Sequence, residues 1–158
     1  MVRNNDIMKA VFPNIENADL TEERFMPNFS LPDAVFQAAA GVYPTPFHLY
    51  DEAGIRRNAR TLKAAFGWCA DFEEYFAVKA LPNPTVLRIL REEGCGVDCS
   101  SRTELMLAEA LGFGGRDIMF SANDMPDDEF TYARRLGAYV NLDDISHIDI
   151  LANHGGIP

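Results

Sequence analysis

A short apolar run returns along this chain at a nearly constant interval. Strand-like runs begin at Tyr75, Val97, Ile118 and Tyr139, which are 22, 21 and 21 residues apart. Helical segments lie between and after them, over roughly 84–93, 102–111, 126–136 and 145–153. A strand and a helix within 21 residues leave room only for short loops. Strands joined in this way through helices run parallel, with right-handed crossovers. The helix ends carry their own signals. Asn83 followed by Pro84 gives an N-cap with proline at the first helical position. Ser101 and Glu104 make a capping box. Pro126 opens the third helix ahead of acidic residues that suit the helix dipole. Gly94, Gly112, Gly137 and the pair Gly155 and Gly156 close the helices, where a left-handed cap is needed.

Two α/β architectures meet this pattern: a (β/α)8 barrel and an open doubly wound sheet. Side chains alternate between the two faces of a strand. Tyr75, Ala77 and Lys79 share one face of the first strand, opposite Phe76 and Val78. Gly96, Asp98 and Ser100 oppose Val97 and Cys99; Met119, Ser121 and Asn123 oppose Ile118 and Phe120; Tyr139, Asn141 and Asp143 oppose Val140 and Leu142. Each strand thus has one wholly apolar face and one that turns polar toward its C-terminal end. A sheet covered by helices on both sides wants both faces apolar. A barrel gathers its functional groups at the C-terminal ends of its strands. The pattern favours a (β/α)8 barrel, represented here by about four strand–helix units. Neither a G-x-G-x-x-G nor a G-x-x-x-x-G-K-[ST] phosphate-binding fingerprint is present.

This geometry sets Lys79 in the barrel mouth beside Asp98, with Ala77 and Gly96 leaving room beneath for a flat ligand. Lysine is costly to bury, and burial disfavours its charged form, which makes the amine a nucleophile toward carbonyls. Two readings stand: Schiff-base or general-base chemistry, or a structural pair of Lys79 with Asp98. Tyr75 reads as barrel filling.

The formal charge of −10 argues against nucleic acid or an anionic membrane surface as the main partner. No apolar run approaches the ~18 residues of a membrane span. Three cysteines, Cys69, Cys95 and Cys99, and no secretory signal at the N-terminus suggest a reducing, cytoplasmic setting. Cys95 and Cys99 lack a second ligand pair, so buried thiols are expected rather than a zinc site. Residues 1–45, punctuated by Pro13, Pro27, Pro32 and Pro44, read as an irregular arm. A brief helix over 34–40 begins at Asp33 and closes at Gly41. A short strand is expected over 47–50. Asp51 then caps a helix whose stripe is Ile55, Ala59, Leu62 and Phe66. Residues 46–158 read as the N-terminal half of the barrel.

Three stretches resemble a known family. Phe76, Ala77, Val78, Lys79, Ala80 and Leu81, followed by Val86, Leu87, Leu90 and Gly94, resemble the pyridoxal-phosphate attachment signature of the ornithine/diaminopimelate/arginine decarboxylases. The runs from Gly96 to Leu105 and from Ile118 to Asn123 are similar to that family's next two strand motifs. The lead-in from Tyr43 to Asp51 resembles the diaminopimelate branch most. The likeness covers about 115 residues. The resemblance implies an alanine-racemase-type barrel followed by a β-domain, with pyridoxal 5'-phosphate as cofactor. It implies decarboxylation of a small-molecule amino acid, meso-diaminopimelate to L-lysine, in lysine biosynthesis. It implies that Lys79 binds the cofactor covalently and then acts near the α-carbon. Ala77, Asp98 and Glu104 would line the cofactor, although the capping box explains Glu104 equally well. A homodimer is implied for the complete enzyme. The family's phosphate loop, ring-stacking histidine, acidic partner of the pyridine nitrogen and β-domain cysteine all lie beyond the matched stretch. His48, His147 and His154 do not occupy the stacking position. Two alternatives remain: an ornithine, arginine or carboxynorspermidine decarboxylase or a racemase of the same barrel type, and a catalytically silent half-barrel that binds a partner chain.

Overall fold

Four strands form one parallel sheet, in the order in which they occur in the chain. They are β1 (Tyr75–Ala77), β2 (Gly96–Cys99), β3 (Ile118–Ala122) and β4 (Tyr139–Leu142). The computed structural model describes residues 32–123 and 126–154. The chain divides into two units, Met1–His48 and Leu49–Pro158. In the first unit lies helix α1 (Asp33–Val42), most of whose residues are exposed. It runs through Gly41 instead of stopping there, because an isolated glycine weakens a helix without breaking it. The second unit holds the sheet and helices α2 (Glu52–Ala65), α3 (Pro84–Glu92), α4 (Arg102–Ala110), α5 (Asp127–Arg135) and α6 (His147–Asn153).

The strand order decides between the two architectures. A doubly wound sheet reverses its order partway, whereas this one advances in a single direction. The four strand–helix units are therefore those of a (β/α)8-type barrel. Register aligns Ala77 with Asp98 and Asp98 with Met119, so the strands' polar faces lie side by side.

The expected alternation is present in the burial. Val97, Cys99, Ile118 and Phe120 are fully buried, while Asp98, Ser100, Met119 and Ser121 between and beyond them are half-buried. The buried face packs against Leu87 of α3, Leu105 and Ala108 of α4, Phe130 and Ala133 of α5, and Leu151 of α6. All four helices thus cover one side of the sheet. The other side is left to the polar residues.

Local signals behave as their chemistry dictates. Asn83 Oδ1 accepts from Thr85 N at 2.9 Å and Val86 N at 3.2 Å. Asp51 Oδ1 accepts from Gly54 N at 3.0 Å. Gly94, Gly112 and Gly137 take positive φ at the helix ends, at 76°, 81° and 71°. The expected closing pair Gly155 and Gly156 lies outside the described residues, as do Pro13, Pro27 and the N-terminal stretch read for a signal.

Two further expectations need correction. Residues 47–50 form no strand; Pro44 and Pro46 precede them. Leu62 is exposed, so the stripe of α2 reaches the interior only through Ala59 and the half-buried Ile55 and Phe66. This apolar contact is thin: Ala59 meets Val86, Leu90 and Cys95, with Ile55 and Phe76 beside them. Charge completes the attachment of α2 to α3. Glu93 accepts from Arg60 Nε at 2.6 Å and from Arg56 at 3.0 Å, and Arg56 also reaches Glu92 at 2.6 Å and Glu52 at 2.7 Å. Lys63 Nζ donates to the carbonyls of Glu93 and Gly94 at 3.0 and 2.9 Å.

Two outcomes follow for stability. Phe120→Ala removes a fully buried ring between the strands and the helices, and is expected to cost about 3–5 kcal/mol in urea unfolding, against near neutrality for exposed Met106→Ala. The Arg60 and Arg56 guanidiniums hold the Glu93 carboxyl down at about 2. A depressed carboxylate contributes stability above its unfolded range and loses it as pH falls through the folded value. Glu93→Gln should therefore lower the thermal midpoint at neutral pH, and the gap from the parent should close as pH approaches 2. An equal gap at pH 7 and pH 2.5 would refute this.

Candidate active site

The strands' C-terminal ends bring the polar residues together. β1 ends at Ala77, and a single turn of 3-10 helix, Val78–Ala80, follows it. Val78 is fully buried and anchors that turn; Lys79 is exposed. Here the structure departs from simple alternation. Strand geometry ends one residue before Val78, so Lys79 stands on a turn past the strand and not on its inward face. Its amine has no hydrogen bond or ion pair among the described residues. Lys63, by contrast, is tied to two backbone carbonyls.

Asp98 sits on β2 in register with Ala77. No ion pair joins it to Lys79, so the structural pairing considered from the sequence does not form. Asp98 Oδ1 instead accepts from Ser121 Oγ at 2.5 Å. Ser121 lies on β3, two positions beyond Met119, the register partner of Asp98, and on the same face. Alternation had marked Ser121 as polar and inward without a role; the missing signal was the register between β2 and β3.

Glu104 belongs to the start of α4. Its backbone N donates to Ser101 Oγ at 3.4 Å, and its carboxylate accepts from Ser100 N at 2.8 Å and Ser100 Oγ at 3.0 Å. The capping box is thus formed, with the carboxylate gripping the residue before the cap. Ala77 is half-buried beside Asp98. The space expected above Gly96 is filled, since a Cβ there would meet the Tyr75 ring and Asp117 O at 2.8 Å. The Tyr75 hydroxyl lies within hydrogen-bond distance of two acceptors, Arg116 O at 2.7 Å and Glu73 Oε2 at 2.5 Å, to either of which it can donate its one proton. Burial and the Glu73 carboxylate raise its pKa. It fills the N-terminal end of the sheet.

No cluster of three or more metal-ligating side chains occurs among the described residues. Cys95 and Cys99 are buried free thiols, and burial pushes both up, Cys99 to about 12. His154 pairs with Asp127 at 3.2 Å, and His147 sets its ring against the edge of Phe130. Neither approaches the polar face. No helix among the described residues is long and apolar enough to cross a membrane.

A carbonyl cofactor requires an available amine, a nearby carboxylate and an open face. Unpaired Lys79, half-buried Asp98 with one oxygen bonded, and the uncovered side of the sheet fit that requirement.

Comparison with known proteins agrees with this geometry. Residues 52–156 match the family described as pyridoxal-dependent decarboxylase, pyridoxal binding domain. Protein TabA of Pseudomonas amygdali pv. tabaci is 50% identical over 107 residues, covering 68% of this chain and 25% of that protein. The diaminopimelate decarboxylase of Methanothermobacter thermautotrophicus is 39% identical over 110 residues, covering 69% and 26%. The crystal structure of a diaminopimelate decarboxylase from M. jannaschi superposes with a TM-score of 0.70 at 25% identity, over 75% of this chain and 28% of that one. The chain thus spans about a quarter of the length of these relatives.

Thiol labelling checks the burial at the site. In the folded chain, half-exposed Cys69 is expected to take iodoacetamide at neutral pH well ahead of Cys95 and Cys99, with all three equal in denaturant. Early labelling of Cys99 would show that the helix-covered face of β2 is open.

Proposed function

Because the chain belongs to the pyridoxal-dependent decarboxylase family through its pyridoxal-binding domain, we propose that Lys79 is the residue that carries the cofactor. The observation behind this reading is that Lys79 is an exposed amine with no hydrogen bond or ion pair among the described residues, just past the C-terminal end of a strand paired with the strand of Asp98. Bound pyridoxal 5'-phosphate supplies an aldehyde that captures amines and a ring that accepts the electron pair left when CO₂ departs. Lys79 Nζ is the amine that would hold that aldehyde covalently, and when not so engaged it would be the amine placed to carry a proton to or from the α-carbon. Asp98, in register with Ala77 on the neighbouring strand, would offer a carboxylate at that end of the site. Ala77 keeps the floor beside Asp98 shallow, because a methyl group is all it contributes. Glu104 serves by fixing the turn of Ser100 and Ser101 at the edge of the site.

The substrate we propose is meso-diaminopimelate, with L-lysine as product in lysine biosynthesis. The relatives named as diaminopimelate decarboxylases support this choice. The higher identity to TabA keeps a second reading open, that of another amino-acid decarboxylase of the family acting on ornithine, arginine or carboxynorspermidine. Product analysis with diaminopimelate against ornithine separates the two. We read the complete enzyme as a cytoplasmic homodimer and the 158-residue chain alone as inactive.

The test is borohydride trapping with pyridoxal 5'-phosphate, followed by peptide mapping. The chain has three lysines, Lys9, Lys63 and Lys79, so the map is simple. Label is expected on Lys79 ahead of the other two, and absent from that peptide in Lys79→Arg. No CO₂ release is expected from the 158-residue chain with added cofactor. Label confined to Lys9 or Lys63 would remove Lys79 from the proposal.

A further inference from the structure

The pairing of Asp98 with Ser121 carries a consequence for the amine across the sheet. Asp98 and Ser121 share one face of adjacent strands, and Lys79 stands on the turn that follows a third, neighbouring strand. Asp98 on β2 lies between β1, whose end carries Lys79, and β3, which carries Ser121. Asp98 is half-buried, and its Oδ1 receives the Ser121 hydroxyl at 2.5 Å. Oδ2 has no hydrogen-bond partner among the described residues. Ser100, the next residue on that face of β2, is directed to Glu104 and does not compete for Asp98.

Resting on the reading of Lys79 given above, we propose that Ser121 is a positioning residue: its hydroxyl holds the Asp98 carboxylate in one orientation and leaves Oδ2 to the amine of Lys79. The χ2 torsion of aspartate is broad and two-fold, so an unsupported carboxylate samples many orientations. A hydroxyl-to-carboxylate bond is charge-assisted and restricts that freedom. The donor's neutrality matters as much as its strength. An arginine or lysine in place of Ser121 would orient Asp98 but neutralise it. A hydroxyl orients the carboxylate and leaves its full negative charge for the lysine. Ser121 touches neither the amine nor the reacting carbon in this role; it acts through Asp98 alone.

That last property makes the inference testable by a double-mutant cycle. The measurement is the rate at which the full chain forms a borohydride-trappable adduct between pyridoxal 5'-phosphate and Lys79, read by peptide mapping. Ser121→Ala is expected to slow this rate about tenfold, as loss of a bond to a charged group does. Ser121→Thr, which keeps the hydroxyl, should stay within about twofold of the parent. Asp98→Ala should be slow, and adding Ser121→Ala to it should change nothing further. If Ser121→Ala loses the fold by near-ultraviolet circular dichroism, Ser121→Cys, similar in size with a weak donor, carries the same expectation. A parental rate in Ser121→Ala or Ser121→Cys, or an equal loss in the Asp98→Ala background, overturns the positioning role while leaving Lys79 as the anchor. Absence of label on Lys79 in the parent overturns the reading of Lys79 and this inference with it.

Discussion

One side of the sheet is sealed by helices, and this seal decides where every polar group can go. Val97, Cys99, Ile118 and Phe120 have no exposed surface. A carboxylate or hydroxyl placed among them would lose water with no partner at hand. Side-chain alternation sends the intervening residues to the other face, so the core and the site are two readings of one pattern. Asp98 lies between Val97 and Cys99 in sequence and reaches the open face for that reason alone. Parallel pairing in register then lines up the neighbouring strands, which is how Ser121 comes within bonding distance of Asp98.

The same constraint explains the departure at Lys79. Continued as a strand, β1 would have carried Lys79 inward beside Asp98. The chain instead turns at Val78, burying that side chain completely and lifting Lys79 into solvent. An amine in that position avoids the desolvation that a buried lysine suffers. Its availability therefore comes from exposure and lack of partners, not from burial. Alternation placed Lys79 on the inward face of a strand; it stands instead exposed on the turn that follows.

Legibility followed the range of the signal. The repeat, the caps at Asn83, Asp51 and Ser101, and the closing glycines Gly94, Gly112 and Gly137 are local, and each of these is present as read. The parallel sheet follows from loop length, which is also local. What escaped was set by pairing between distant segments. The Asp98–Ser121 bond depends on the register of two strands 20 residues apart or more. The filling of the space above Gly96 by Tyr75 depends on the neighbouring strand, which alternation within β2 does not report. The failure of 47–50 to form a strand is of the same kind: a run of suitable residues needs an edge to pair with.

Helix α2 shows how charge takes over where apolar cover runs thin. Its inward stripe reduces to Ala59 with Ile55 and Phe66 only half-buried, too little to orient a 14-residue helix by packing alone. Glu93, at the end of α3, receives two arginines from successive turns of α2, and Lys63 ties the next turn to the carbonyls that α3 leaves unpaired. Spacing of four and three residues puts Arg56, Arg60 and Lys63 along one edge of α2, so a single glutamate and a helix end fix both its rotation and its tilt. These bonds lie on the outer layer, away from the polar face of the sheet. Salt therefore loosens α2 against α3, whereas the Asp98–Ser121 pairing rests on a neutral donor held by strand register.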